Sequence, residues 1–151
     1  MTGKRLPPDF EILGFTKRSA CALPLYLASV PAGFPSPAED YVDRTLDLNE
    51  HLIRHPAATF FVRVHGHSMA DAGISPGDIL VVDRAVTAVS GSIVIAAVDG
   101  ELTVKRLKKS RGRVLLVPEN PDYPATEIGP EQSFEVWGVV TYIIHKAVAR
   151  P

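Results

Sequence analysis

Two residues in this sequence have the types and settings that peptide-bond chemistry needs: Ser68, in Gly66-His67-Ser68-Met69, and Lys105, in Thr103-Val104-Lys105. Ser68 follows a strand-like run. A serine leaving a strand beside a glycine can present its Oγ outward while nearby backbone N–H groups converge on an oxyanion. The same four letters also fit a turn serine that caps Ala70-Asp71. Lys105 lies in a hairpin, across from Val94 and on the face of Thr103 and Leu107, with Leu102, Val104 and Arg106 pointing the other way. A lysine among apolar neighbours loses hydration, which favours its neutral form. Bringing an amine from about 10.4 to near 7 removes on the order of 4–5 kcal/mol of charge stabilisation; burial can do this and full solvation cannot. A neutral amine can then take the serine proton during attack on a carbonyl, a Ser-Lys variant of triad logic. The competing reading makes Lys105 the first of six cations in the run Lys105–Arg113, on an exposed strand.

The elements that must position these residues are strands. Phe60–Val64 and Asp78–Asp83 are rich in aromatic and β-branched residues. Ser92–Val98 and Glu101–Leu107 flank Asp99-Gly100, a pair that supplies the positive φ angles of a type I′ turn. Arg113–Val117 and Phe134–Ile144 follow, and Gly73, Gly77, Gly91 and Gly112 punctuate the series. Helical material is expected ahead of them. Ser36-Pro37-Ala38-Glu39 reads as a capping box, after which Tyr41, Val42, Thr45 and Leu46 fall on one face. A second cap, Asp47-x-x-Glu50, leads to Leu52 and Ile53, and His55-Pro56 stops it. Helical turns are therefore predicted near 37–54. Residues 1–32, with prolines at 7, 8, 24 and 31, read as an arm.

Composition narrows the field. With 151 residues the chain suits one domain with a true core, and its net charge of −1 demands neither a nucleic acid nor an anionic membrane as partner. The single cysteine, Cys21, excludes an internal disulfide framework and any multi-cysteine zinc site. His65 and His67 alternate on a strand with no cysteine near, so no metal is expected there. The run Lys105–Arg113 is read as a solvated hairpin end, with contact to DNA or an acidic partner as the alternative. No apolar run reaches membrane-spanning length. Lys4, Arg5, Lys17 and Arg18 before Ala20–Ala28 give a leader-like impression, which Asp9, Glu11 and Pro24 oppose.

Several blocks together resemble one family: Gly33-Phe34-Pro35-Ser36-Pro37, Asp47-Leu48-Asn49, His55-Pro56, Gly66-x-Ser68-Met69, Gly73-Ile74-Ser75, Gly77-Asp78, Ile93–Gly100 and Thr103-Val104-Lys105. In order and spacing they are similar to UmuD, the SOS-mutagenesis branch of the LexA-like self-cleaving peptidases. The likeness spans roughly residues 30–145, while the first 31 residues match poorly. It implies a mainly β, LexA/UmuD-like catalytic domain over 33–151, short helical turns at its front, and a cleavable extended arm over 1–32. It further implies Ser68 as nucleophile, Lys105 as general base and the backbone N–H groups of His67 and Ser68 as oxyanion donors, with no cofactor. The cut would fall between Ala32 and Gly33, stimulated by a RecA–ssDNA filament.

The trimmed chain would form a homodimer and join a UmuC-like Y-family polymerase in translesion DNA polymerase V, in the cytoplasm. The small residues at Val30-Pro31-Ala32 that suggested a leader serve such a cut equally well. About 3.3 Å per extended residue between Gly33 and Ser68 permits cleavage in cis or in a partner. Three rivals stand beside this reading. One is a regulatory subunit that binds polymerase and RecA without catalysis. A LexA-type repressor needs a helix-turn-helix that 31 proline-broken residues cannot supply. A leader peptidase needs a membrane anchor.

Overall fold

From Thr59 onward β-branched and aromatic residues dominate every apolar run, and the chain forms strands there. The computed structural model describes residues 10–13, 20–26 and 42–148. Ala32, Gly33, Tyr41 and the capping box at Ser36–Glu39 lie outside the described residues. The chain forms two units, one of Met1–Phe15 with His55–Pro151 and the other of Thr16–Arg54.

The larger unit is built on one antiparallel sheet of eight strands. With strands numbered along the chain, the order is β1 (Phe10–Leu13), β4 (Thr59–Val64), β5 (Ile79–Asp83), β10 (Phe134–Ile144), β6 (Ile93–Val98), β7 (Glu101–Ser110), β8 (Arg113–Val117) and β9 (Thr126–Glu127). The six strands expected from Phe60 onward are all present, and the mainly β fold class stands. Phe10–Leu13, within the segment expected to be an arm, adds an edge strand against β4. Between β6 and β7, Asp99 and Gly100 take φ values of 49° and 82°, as a type I′ turn requires. That turn sets the register, and Val94 lies opposite Lys105.

Strand β6 carries apolar residues on both faces because both are covered. Ile95 and Ala97 join Val62, Leu80, Val82 and Val104 in one core cluster, whereas Val94 and Ala96 join Leu107, Leu116 and Val139 in another. The central strand, β10, is irregular on both sides, with register shifts between Val136 and Gly138 and between Val140 and Tyr142. Gly138 is required there. A Cβ at that position would stand 2.7 Å from Val82 Cγ1 and 3.2 Å from the Asp83 carbonyl oxygen. Two buried carboxylates close the ends of β5. Asp78 accepts from Ser75 N and meets His145 Nδ1, and Asp83 accepts from Ala85 N and meets His55 Nδ1. Burying these charges is tolerable because each is hydrogen-bonded.

The smaller unit corrects one expectation. Val42, Thr45 and Leu46 stand on a strand, β3 (Val42–Asp47), which pairs antiparallel with β2 (Ala22–Tyr26). Pairing with a distant segment overrides a helical spacing that the local letters permit, and Val42 and Thr45 are β-branched. Among the described residues of 37–54 only Leu48–Leu52 is helical (α1). Its expected cap is present: Asp47 Oδ1 accepts from Asn49 N at 2.9 Å, and Oδ2 accepts from Cys21 N at 3.0 Å. Cys21 itself is exposed.

Candidate active site

Beyond Val64 the chain leaves the sheet, and Ala70–Ala72 makes one 3-10 turn. Gly73 ends that turn at φ 80°, a left-handed conformation suited to glycine, and its N–H donates to Ala70 O. On either side of the turn Met69 and Ile74 are sunk in the core, at 1% and 0% exposure. Ser68 is thus held immediately beside a buried anchor while remaining half-buried itself. The residue that caps the 3-10 turn is Met69, with no side-chain bond, so the capping reading of Ser68 does not describe the structure.

Strand β7 brings the second residue. Lys105 is half-buried rather than on an open strand, and its Nζ lies 3.1 Å from Ser68 Oγ. The same nitrogen reaches Thr103 Oγ1 at 2.7 Å and the Val104 carbonyl oxygen at 3.0 Å. As an ammonium, Nζ can donate to all three oxygens. As a neutral amine it can keep donating to Thr103 and Val104 and turn its lone pair toward the Ser68 hydroxyl. That second arrangement can accept the serine proton. Thr103 and Lys105 share a face, as period-2 alternation predicts.

Sequence reasoning missed the segment that braces the turn carrying Ser68. Just past β8, Glu119 N donates to Ser68 O at 2.8 Å and Asn120 Nδ2 donates to His67 O at 2.8 Å. In return Asp71 N donates to Glu119 O at 2.7 Å. The Glu119 carboxylate pairs with Arg106, whose Nη1 also donates to Gly91 O at 2.6 Å. Read locally, Pro118-Glu119-Asn120-Pro121 signals only a turn.

The basic run is dispersed by strand geometry. Lys105 faces Ser68, Arg106 pairs with Glu119, and Arg113 forms a two-pronged bond with Glu127, leaving Lys108, Lys109 and Arg111 exposed near the hairpin tip. His65 and His67 are exposed, and among the described residues no group of three or more His, Cys, Asp or Glu could hold a metal ion. Trp137 packs against one core cluster and Phe134 against the other. Beside Lys105 a cleft of about 530 Å³ runs along Thr103, Glu101, Leu116, Thr126 and Gln132. Its mixed apolar and polar lining suits an extended peptide.

With this geometry in place, comparison with known proteins decides the family. The Peptidase S24-like family matches residues 24–141, most of the chain. This chain belongs to the Peptidase S24-like family. Protein MucA of Escherichia coli is 52% identical over 122 residues, covering 80% of this chain and 83% of that protein. Protein SamA of Salmonella typhimurium is 53% identical over 123 residues, covering 82% and 85%. The LexA repressor of Paracidovorax citrulli is 40% identical over 130 residues, covering 86% of this chain and 57% of the repressor. The UmuD and LexA-like resemblance read from the sequence blocks is borne out, and this S24 peptidase is a serine peptidase of the self-cleaving kind. Among its described residues no helix is long and apolar enough to cross a membrane.

Proposed function

We propose that this S24 peptidase cuts its own arm between Ala32 and Gly33, with Ser68 as nucleophile and Lys105 as general base. The observation that carries the reading is the 3.1 Å separation of Lys105 Nζ from Ser68 Oγ. Neutral Lys105 takes the hydroxyl proton as Ser68 Oγ attacks the Ala32 carbonyl carbon. Negative charge then gathers on the carbonyl oxygen, toward which the His67 and Ser68 backbone N–H groups donate. Collapse of this tetrahedral species breaks the C–N bond, and the Lys105 ammonium gives its proton to the departing Gly33 amine. Water, deprotonated by the same lysine, attacks the Ser68 ester; the C–O bond to Ser68 breaks, the lysine returns the proton to Ser68 Oγ, and the Ala32 carboxylate leaves. No metal or cofactor takes part.

Residues 1–32 are the substrate arm and 33–151 the catalytic product. The cleft beside Lys105 is where the arm lies during the cut, its backbone extended. A RecA–ssDNA filament stimulates the reaction, and the trimmed chain dimerises and joins a UmuC-like Y-family polymerase in the cytoplasm as part of the SOS response. Tyr142, Ile143 and Ile144, exposed apolar residues at the end of β10, supply a surface fit for a second copy. The relationship to MucA and SamA supports this setting.

Intact-mass analysis after incubation with RecA–ssDNA filaments tests the proposal. A product beginning at Gly33 is expected, and it should be absent for Ser68→Ala and Lys105→Ala. A chain that stays whole with and without filaments would favour a subunit that acts by binding alone.

A further inference from the structure

The brace between the nucleophile turn and residues 119–120 has a direct bearing on oxyanion binding. A peptide unit is planar and, in the trans form, points its C=O and the following N–H to opposite sides. The His67 carbonyl and the Ser68 N–H are two edges of one such plane. Asn120 Nδ2 donates to that carbonyl at 2.8 Å, across 53 positions of sequence, and Ala70 N adds a second bond at 3.2 Å. Holding the oxygen of this plane aims the hydrogen on its other edge. Accepting hydrogen bonds at the oxygen also polarises the amide, which strengthens its N–H as a donor.

Asn120 is itself oriented. Its Oδ1 accepts from Asp122 N at 2.9 Å, which fixes the amide so that Nδ2 faces His67. The next plane is held the same way, by Glu119 N on Ser68 O, and the Arg106 pair with the Glu119 carboxylate tethers this segment to β7. We infer that Asn120 is a positioning residue for catalysis: through the His67 carbonyl it sets the direction and donor strength of the Ser68 N–H that receives the oxyanion. The inference rests on the peptidase reading above, in which that N–H is one of the donors.

Replacing Asn120 by Asp separates its two roles. The carboxylate of N120D still accepts from Asp122 N and keeps the turn, but it has no hydrogen to give to His67 O. Asn120→Ser acts as a second probe, since its hydroxyl can serve the turn while falling short of His67. Self-cleavage of the full chain is followed by intact mass across the alkaline range, with melting curves run in parallel. Direct loss of an oxyanion donor costs about 10²–10³ in rate, so an indirect loss is expected to slow both variants by about 10- to 100-fold. In Asn120→Ser, which adds no charge near Lys105, the midpoint of the pH–rate curve should stay at the wild-type value. A variant that cleaves at the wild-type rate overturns the inference and reduces Asn120 to a turn residue. A moved midpoint in Asn120→Ser overturns it too, by routing the effect through Lys105. If N120D melts early, Asn120→Ser is read by both criteria; if Asn120→Ser melts early, N120D is read by its rate. A wild-type chain that stays whole at every pH overturns the peptidase reading and this inference with it; wild-type cleavage beside equal N120D and N120S cleavage overturns the inference alone.

Discussion

Lys105 Nζ and Ser68 Oγ stand 3.1 Å apart although 37 positions separate the residues in sequence. Two constructions, linked by the Arg106–Glu119 pair, bring them together. The Asp99-Gly100 turn fixes the register of β6 with β7 and so places Lys105 opposite Val94. Buried Met69 and the bonds from Glu119 and Asn120 hold the turn that carries Ser68. Disturbing either construction should reach the chemistry, and each can be tested separately.

Thr103 Oγ1 is the nearer partner of the lysine, at 2.7 Å, and helps aim Nζ at the serine. Thr103→Val keeps the shape and removes the acceptor. Self-cleavage should slow about three- to tenfold, matching the net worth of roughly one hydrogen bond, with little change in melting. An unaltered rate would show that Lys105 is aimed by other contacts.

Gly138 tests the sheet rather than the site. A Cβ there meets Val82 and the Asp83 carbonyl, both in the neighbouring strand, and backbone cannot yield as a flexible side chain can. Gly138→Ala should cost about 1–3 kcal/mol in denaturant unfolding. A midpoint equal to wild type would mean that β10 and β5 can separate freely at this point.

The Arg113–Glu127 pair gives a pH prediction of definite sign. The hydrogen bond from Arg113 holds the Glu127 carboxyl below its ordinary value, with slight burial opposing and the guanidinium charge assisting. A carboxylate pKa depressed in the folded state adds stability above the unfolded value of about 4.3, and that stability is lost as pH falls through the folded pKa. Glu127→Gln should therefore lower the melting temperature slightly at neutral pH and not at all in strong acid. Both groups are exposed, so added salt should shrink the difference. A gap between the melting curves that persists in strong acid would contradict this.

What the sequence made legible follows from how local each signal is. Alternation and the Asp-Gly pair lie within a few residues, so the hairpin, its register and the face of Lys105 could be read directly. The helix expected to run through Val42 and Leu46 failed because β2, about twenty residues away, claims that segment as a strand. Asp47, by contrast, caps α1 as its own neighbours predict, since a cap needs only the next turn. Glu119 and Asn120 escaped notice because their partners, Ser68 and His67, are remote in sequence and are reached through backbone atoms that no residue type advertises. Ala32 and Gly33 lie outside the described residues, so the proposed cut is argued from the family likeness and from the chemistry of small residues.

The most direct test of the account is the pH dependence of self-cleavage by purified protein alone, comparing wild type with Ser68→Ala and Lys105→Ala. If neutral Lys105 is the base, the wild-type rate climbs with pH as the amine sheds its proton and then levels off, yielding a product that begins at Gly33, while both variants remain whole. Wild-type speed in Lys105→Ala, or a wild-type rate indifferent to pH across that range, would contradict it.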